Sequence, residues 1–376
     1  MYDLVIVGGG IIGVSLAFKL AEKGFGKILL VERNYLGSGS TFRCAGGIRA
    51  SFTSREHIVL MKRSIELWGE LKEKLGVKYS RSGYLWLTYR EEDLEKVKGY
   101  MRIHHMFGLD TRLVGEDFVK EVAPYVDTSK MVGALFDPLA GKASPFDSLY
   151  KQFLAAKSLG VEFLIGKEVT HIDIENGAAK GVLIDGEKIP ARNVAVTAGA
   201  YSVYLLERNG IKIPLTPVPH HAALTEDFGR LFDPLIIDVA SGAYAVQTFH
   251  GNVLMGVDVE EKPFGELSVK LAFLEKVVSV WSKWLPWLPN VNILRYWPGY
   301  YEVTPDHHPI IGPVMPIENL YIATGFSGHG FMMAPVVAEE MASWITSSRP
   351  RSQEAGNLVL SRFEEGKTVK ELAVIG

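Results

Sequence analysis

The sequence has 376 residues, 47% of them hydrophobic, which is enough for two lobes or for one domain with a large insertion. The net charge of -3 and the pI of about 6.4 exclude the basic face that nucleic-acid binding requires. A single cysteine, Cys44, excludes a disulfide framework and a metal site built on several thiolates.

A strand, a turn and a helix open the chain. The apolar run 4–7 ends in glycine, residues 11–23 have helical spacing, and 27–32 form a second apolar run. Together they make a βαβ unit of about thirty residues, the size of a crossover connection. No basic segment precedes the first strand, so we expect no signal peptide.

The first turn contains the pattern Gly8-x-Gly10-x-x-Gly13. These glycines permit a tight turn, close approach of the backbone to a pyrophosphate, and close packing of helix on strand. The helix N-terminus favours the phosphates, and Glu32, which ends the second strand, can accept hydrogen bonds from ribose hydroxyls. The motif predicts a dinucleotide site and leaves NAD and FAD open.

The next segments change in character. Residues 37–53 are rich in Gly, Ser and Thr and predict a loop, after which Ser54 is expected to cap a helix that ends near Leu75. Residues 83–88 form an aromatic strand, and 91–108 have helical spacing. We place the first change of domain near residue 80.

The segment near 145–215 again has the pattern of a nucleotide-binding domain, and the residues after it do not. Asp147 is expected to cap a helix that Gly160 ends, and strands follow at 161–165 and 193–199. Residues 216–295 alternate, carry many aromatic side chains and predict an antiparallel sheet with a helix near 267–284.

One long uncharged stretch raises the question of a membrane span. Residues 319–338 lack Asp, Glu, Lys and Arg, but Gly325, Gly328, Gly330 and Pro335 interrupt them. A buried loop followed by a helix is therefore favoured over a transmembrane segment.

Four segments together resemble the D-amino-acid oxidase superfamily of flavoenzymes. Residues 37–49 are similar to its flavin loop, 193–202 to one of its strands, 304–312 to its proline-rich loop, and 323–331 to its C-terminal flavin loop. The resemblance covers the chain in order. It is nearest to the sarcosine oxidase and dimethylglycine dehydrogenase group, and within that group to β subunits of archaeal dye-linked L-proline dehydrogenases.

The resemblance implies an α/β, overall α+β, fold with FAD as cofactor. A Rossmann-like FAD-binding domain is expected at 1–80, 141–215 and 296–376, and a mainly antiparallel substrate domain, discontinuous in sequence, at 81–140 and 216–295.

The glycine motif and the resemblance together predict the cofactor-binding residues. They are Gly8, Gly10, Ile11, Ile12, Gly13, Glu32, Arg33, Ser40, Thr41, Arg43, Ala45, Gly46, Gly47, Val169, Ala198, Gly199, Gly325, Ser327, Gly328, His329, Gly330, Phe331 and Met332. His329 is expected to contribute its backbone, since glycines flank it. No metal site is predicted.

The anchors for covalent flavin in this family are missing. Arg43 stands where some relatives attach FAD through a histidine, and 297–303 lack the cysteine that others use. Residues 143–146 lack the histidine that carries an additional FMN. The resemblance therefore implies noncovalent FAD, and it leaves room for a noncovalent FMN at a subunit interface.

Substitutions at two further positions favour a dehydrogenase over an oxidase. Met332 replaces a carboxylate-binding lysine of monomeric sarcosine oxidase, and 245–259 lack the lysine that activates oxygen. A fixed cation near the flavin favours reduction of oxygen, so its absence favours a dehydrogenase that passes electrons to a partner, although many oxidases lack this lysine too.

A substrate carboxylate needs a cation, ideally an arginine that binds it through two hydrogen bonds. The resemblance makes Arg49 the first candidate and Arg43 the second; alternatively, Arg49 binds the flavin or a surface carboxylate. Tyr244 and Tyr301 are the aromatic candidates, with core packing as the alternative for each. His220 and His221 are expected to be structural.

These observations favour an FAD-dependent dehydrogenase acting on L-proline or a related secondary amino acid, as one subunit of a hetero-oligomer with an electron-accepting partner. One alternative is an oxidase of sarcosine, glycine or a D-amino acid that produces hydrogen peroxide. The other is a flavin-bearing electron-transfer subunit without its own substrate. We expect a cytoplasmic location, with peripheral contact at the inner face of the membrane as the alternative.

Overall fold

The computed structural model describes residues 1–374. Its strands are β1 Leu4–Val7, β2 Ile28–Glu32, β3 Gly47–Ile48, β4 Tyr79–Ser80, β5 Tyr84–Thr88, β6 Arg112–Val114, β7 Gly133–Asp137, β8 Gly141–Ala143, β9 Glu162–Ile165, β10 Val169–Glu175, β11 Ala178–Ile184, β12 Glu187–Pro190, β13 Val194–Val196, β14 Thr216–Asp227, β15 Leu235–Asp238, β16 Tyr244–Gln247, β17 Asn252–Gly256, β18 Ile293–Val303, β19 Ile310–Pro313 and β20 Leu320–Thr324. Its α-helices are α1 Ile11–Glu22, α2 Arg55–Leu75, α3 Glu91–Met106, α4 Glu116–Val122, α5 Pro145–Ser158, α6 Ser202–Arg208, α7 Leu271–Trp281, α8 Gly330–Ser347 and α9 Gln353–Gly356.

A six-stranded sheet in the order β19-β20-β13-β1-β2-β9 carries the glycine turn. Its strands are parallel except β19, which pairs antiparallel with β20. The strands β1, β2 and β20 are buried along their whole length, as expected for the centre of a sheet covered on both faces. Helix α1 packs against α5 and α8. The predicted Rossmann-like, mixed α/β fold is confirmed.

An eight-stranded sheet in the order β18-β14-β17-β16-β15-β5-β7-β6 forms the second layer. Neighbouring strands are antiparallel, except that β15 pairs parallel with β5. This sheet has its own apolar core, to which α7 contributes Phe273, Val277 and Trp281. Strand β18 begins at Ile293 and pairs with β14 throughout, so the predicted domain boundary at residue 296 lies inside a strand of this sheet.

Of two predicted helix caps, Ser54 stands at the expected position but its side chain binds elsewhere, and Asp147 is wrong. Helix α2 follows Ser54 as expected, but the Ser54 hydroxyl donates to the carboxylate of Glu371 and caps nothing. Helix α5 is capped by the Ser144 hydroxyl, which accepts a hydrogen bond from the Asp147 amide; Asp147 lies in the first turn. The uncharged stretch 319–338 forms β20, a loop and the start of α8. Within residues 1–374, no helix is both long and apolar enough to cross a membrane.

The proline-rich loop 304–312 is held by one buried ion pair. The Arg362 guanidinium donates to both oxygens of Asp306, at 2.8 Å and 3.0 Å, and both side chains are less than 5% exposed. Burial opposes the charge of Asp306, but the hydrogen bonds and charge of Arg362 outweigh it and keep the pKa of Asp306 below its usual value.

Replacing Arg362 by methionine should therefore destabilise the fold by about 3 kcal/mol at neutral pH, because a buried carboxylate loses its partner. The loss should shrink as the pH falls towards about 4, where protonation removes the unpaired charge. Thermal unfolding monitored by circular dichroism measures both effects. Arg230→Met is the control, because Arg230 and Asp233 pair on the surface. An equal loss in both variants would contradict the role of the buried pair.

Candidate functional site

One cavity of about 630 Å³ extends from the end of β1 to the face of the eight-stranded sheet. Most of the predicted cofactor-binding residues line it: Gly8, Gly10, Ile11, Ile12, Glu32, Arg33, Ser40, Thr41, Arg43, Ala45, Gly46, Gly47, Val169, Ala198, Gly199, Gly328, His329, Gly330, Phe331 and Met332. The three predicted substrate residues Arg49, Tyr244 and Tyr301 line it too. Segments far apart in sequence thus share one cavity.

Three predicted cofactor residues lie behind the cavity wall and support it. A Cβ on Gly13 would come 2.1 Å from the Gly8 carbonyl oxygen, so Gly13 permits helix α1 to approach β1. The Gly325 amide donates to Glu302, and the Ser327 amide donates to the Glu302 carbonyl. These residues act on a cofactor through the position of their neighbours.

The glycine turn presents backbone to the cavity. Gly8 has a φ of +112°, and a Cβ there would lie 2.6 Å from the Thr197 carbonyl oxygen. Gly10 is the N-cap of α1 and offers no side-chain acceptor to the helix amides. A helix N-terminus of this kind attracts anions through its amides and its dipole, which suits the diphosphate of a dinucleotide.

Glu32 lies between the glycine turn and the loop after β2. Its carboxylate accepts hydrogen bonds from the Gly9 amide and the Asn34 amide, each at 2.8 Å. It is 9% exposed and lines the cavity. Each carboxylate oxygen has two lone pairs, so it can hold these amides and still accept from a ribose hydroxyl.

The loop between β2 and α2 is fastened to both sides of the cavity. The Thr41 hydroxyl accepts from the Ile11 amide at 3.0 Å, which ties the loop to α1. The Ser40 hydroxyl donates to the Tyr300 carbonyl, and Arg43 Nη1 donates to the Pro298 carbonyl, both at 2.8 Å. Arg43 therefore joins the loop to β18.

A second helix N-terminus meets the cavity at the other end. Helix α8 begins at Gly330 with His329 as its N-cap, and no side chain caps it. The loop before it runs close to the substrate side, since a Cβ on Gly328 would lie 2.5 Å from the Tyr301 ring. Burial keeps the pKa of His329 well below its usual value, so this imidazole is neutral at pH 7.

Aromatic side chains form the wall at the eight-stranded sheet. Tyr84, Tyr244 and Tyr301 face the cavity from β5, β16 and β18. Burial raises the pKa of all three phenols, which therefore stay neutral. The Tyr301 ring stacks on His220 with centroids 3.7 Å apart, and His220 Nε2 lies 3.1 Å from an Asp258 oxygen.

Arg49 is a buried cation in this part of the wall. It is 1% exposed, and its guanidinium lies over the Phe52 ring at 3.7 Å. Nη1 and Nη2 donate to the carbonyl oxygens of Ser51 and Ala373. Burial lowers the pKa of Arg49, yet a guanidinium stays charged in proteins. Among residues 1–374, no carboxylate forms an ion pair with it, and the charges of Glu371 and Asp137 act on it only from a longer distance.

Several cavity residues were absent from the sequence predictions. Tyr84 lies on the expected aromatic strand, and only its position beside Gly47 identifies it: a Cβ on Gly47 would lie 2.0 Å from its hydroxyl. Tyr201 supports Arg33, whose guanidinium lies 3.6 Å from its ring centre. Glu302, which accepts from the Thr324 hydroxyl at 2.8 Å, follows the predicted Tyr301. No signal in the sequence pointed to Glu302, because neighbouring residues of a strand face opposite sides and Tyr301 was the one expected to face the cavity.

Comparison with known proteins agrees with this geometry. Residues 3–344 match the model of the DAO family, FAD-dependent oxidoreductases. The sarcosine oxidase subunit beta of Arthrobacter sp. is 27% identical over 98% of this chain and 93% of its own length. The crystal structure of L-proline dehydrogenase from P. horikoshii is 37% identical with a TM-score of 0.93, and the match covers 98% of this chain and 99% of that one.

A more distant structure shares the fold alone. Glycine oxidase from Bacillus cereus ATCC 14579 is 24% identical with a TM-score of 0.84, and the match covers 93% of this chain and 98% of that one. The family match confirms the expected superfamily, an enzymatic function, and FAD as the cofactor that the glycine motif left open. The chain belongs to the DAO family of FAD-dependent oxidoreductases.

Proposed function

We propose that the protein oxidises the C–N bond of a secondary amino acid, with L-proline as the first candidate. The observation that carries this proposal is Arg49, a buried guanidinium beside a wall of tyrosines with no carboxylate in contact with it among residues 1–374. An unpaired buried cation is costly, so a site of this kind favours an anionic ligand. The similarity to an L-proline dehydrogenase structure supports this choice of substrate.

The residues that line the cavity can each be assigned a role in binding the substrate or supporting its oxidation. FAD, when bound, accepts a hydride from the carbon next to the substrate nitrogen. Arg49 would hold the carboxylate and so orient the amino acid, while Tyr84, Tyr244 and Tyr301 would enclose its ring and exclude water. The N-terminus of α8 favours negative charge at its end of the cavity. Hydride loss from the neutral amine leaves an iminium ion, which releases its N–H proton to water to give the imine that is then hydrolysed. A neutral amine gives up hydride directly, so no general base is assigned.

The electron acceptor is proposed to be a partner subunit. Met332 lines the cavity where an oxidase of this family has a lysine, and the segment 245–259 supplies no lysine from β16 or β17. Without a fixed cation at these positions, oxygen reduction loses an electrostatic advantage. Similarity to proteins named as sarcosine oxidase β subunits supports a hetero-oligomer. We also propose a cytoplasmic location and noncovalent FAD; the FMN at a subunit interface stays a prediction.

Anaerobic reduction of the bound flavin tests the proposal. We expect L-proline to bleach the visible flavin absorption within seconds to minutes, faster than sarcosine, glycine or D-proline. Readmitted oxygen should reoxidise the flavin slowly, whereas an artificial dye should do so quickly. Rapid peroxide formation would contradict a dehydrogenase and support the oxidase that the sarcosine oxidase relatives suggest. If no amino acid bleaches the flavin, an electron-transfer subunit is the better interpretation.

A further inference from the structure

The chain after Leu360–Phe363 runs back across the start of α2, beside Arg49 of the cavity wall. The Glu371 amide donates to the Asp306 carbonyl, and the Leu372 amide donates to the Thr53 hydroxyl, both at 3.0 Å. Glu371 is 1% exposed and Ala373 is 3% exposed, although Leu372 between them is 65% exposed. Two buried residues therefore dock this segment.

The Glu371 carboxylate binds the N-terminus of α2. It accepts hydrogen bonds from the amides of Thr53 and Ser54, at 3.0 Å and 2.8 Å, and from both hydroxyls at 2.6 Å. The amide of Ala373 donates to it as well, at 2.8 Å. These amides precede the first helical residue, Arg55, so Glu371 fixes the turn that leads into α2, at an end of the helix where the dipole favours an anion.

The charge of Glu371 is maintained despite its burial. Burial opposes ionisation, but the hydrogen bonds from Ser54, Thr53 and the Ala373 amide outweigh it and keep the pKa of Glu371 below its usual value. The carboxylate is therefore ionised at any pH at which the enzyme would work. Loss of its charge would leave the amides at the start of α2 without their strongest acceptor.

Glu371 is linked to Arg49 through a single residue. The Ala373 amide is bound by Glu371, and the Ala373 carbonyl accepts from Arg49 Nη2. The Ser51 carbonyl holds Nη1 on the other side, and Phe52 packs beneath the guanidinium. Both acceptors are neutral, so they orient the guanidinium without cancelling its charge, and they use two of its five N–H groups.

We propose that Glu371 is a positioning residue for substrate binding: it docks the segment 371–373 so that the Ala373 carbonyl holds Arg49 in its binding orientation. This rests on the proposed role of Arg49 as the carboxylate anchor. A pre-oriented guanidinium binds a carboxylate without first giving up its own freedom of rotation. Releasing the segment therefore weakens substrate binding and leaves hydride transfer from bound substrate nearly unchanged.

The test is Glu371→Gln in the full chain with FAD bound, since glutamine keeps the size of the side chain and removes its charge. The probe is cyclopentanecarboxylate, a ring carboxylate that has no amine to oxidise; its binding is followed through the visible spectrum of the bound flavin. We expect binding to weaken about 10-fold or more. Cyclopentanecarboxamide, which has the same ring without the charge, should bind both proteins within about 2-fold. With L-proline, KM should rise while kcat changes by less than about 3-fold.

Two further variants keep the test decisive. Glu365→Gln is the matched control, because Glu365 contacts only Lys367 and Ser361 on the surface of the same region. This variant should bind both probes as the unmodified chain does. Thr53→Val removes one donor to Glu371 and should cause a smaller loss in the same direction, even if Glu371→Gln does not fold.

The outcomes separate this inference from the proposed function. If Glu371→Gln and Thr53→Val bind cyclopentanecarboxylate normally while Arg49→Ala does not, the positioning role is overturned and the anchor stands. If Arg49→Ala also binds it normally, the proposed anchor is wrong and the inference falls with it. An equal weakening of both probes would indicate general damage to the cavity and would likewise overturn the inference.

Discussion

Replacing Arg49 by alanine is expected to lower kcat/KM for L-proline by about 100-fold or more. Removing one partner of a buried, hydrogen-bonded charge pair, here Arg49 and the substrate carboxylate, costs about 2–5 kcal/mol. The cost appears as weaker binding of the substrate, because Arg49 forms no ion pair with a carboxylate of the protein among residues 1–374. Arg49→Lys should recover little of this activity, since an ammonium group lacks the planar fork that binds both carboxylate oxygens.

The measurement is the rate of anaerobic flavin reduction as a function of L-proline concentration, corrected for the FAD content of each preparation. That correction matters because Arg49 lines the same cavity as the predicted cofactor residues. Arg102→Ala is the control, since Arg102 is exposed on α3. An unchanged KM in Arg49→Ala would show that the carboxylate is bound elsewhere, with Arg43 as the next candidate.

Replacing Glu32 by alanine should yield protein depleted of flavin. The Glu32 carboxylate holds the amides of Gly9 and Asn34, so its loss both loosens the glycine turn and removes the acceptor proposed for a ribose hydroxyl. Loss of the charge-assisted hydrogen bond proposed for a ribose hydroxyl, at about 1.5–3 kcal/mol, predicts FAD binding that is about 10-fold to 100-fold weaker. The effect depends on noncovalent FAD, since a tethered flavin would be retained.

The ratio of flavin to protein absorbance after purification gives a first measure, and titration of the apoprotein with FAD gives the dissociation constant. Glu187→Ala, on the exposed strand β12, is the matched control and should retain full flavin. Full occupancy by FAD in Glu32→Ala would contradict this prediction. It would mean that neither the shape of the glycine turn nor the affinity for the cofactor depends on this carboxylate.

The elements that have a regular spacing of hydrophobic residues, or a turn that requires glycine, were predictable from the sequence. The apolar runs β1 and β2, the glycines 8, 10 and 13 and the helix α1 appear where expected, because each follows from contacts within about thirty residues. Helix α3 at Glu91–Met106 and helix α7 at Leu271–Trp281 lie within the ranges predicted for them. Ser54 stands at the N-cap of α2 as predicted, but its hydroxyl binds the distant Glu371 and no helix amide. At α5 the predicted Asp147 was wrong, because Ser144, three residues earlier, supplies the acceptor.

The sequence by itself determined the nucleotide fold, FAD as cofactor through the family resemblance, and nearly half of the residues of the cavity wall. Only the tertiary structure decided the state of Arg49. Its orientation depends on Ala373, 324 residues away along the chain, and no carboxylate among residues 1–374 forms an ion pair with it. The same holds for Glu371, whose carboxylate is bound by residues at the start of α2 that lie far from it in the sequence. Periodicity and spacing report local geometry, whereas the charge balance of a buried group is set by whatever distant segments the fold brings to it.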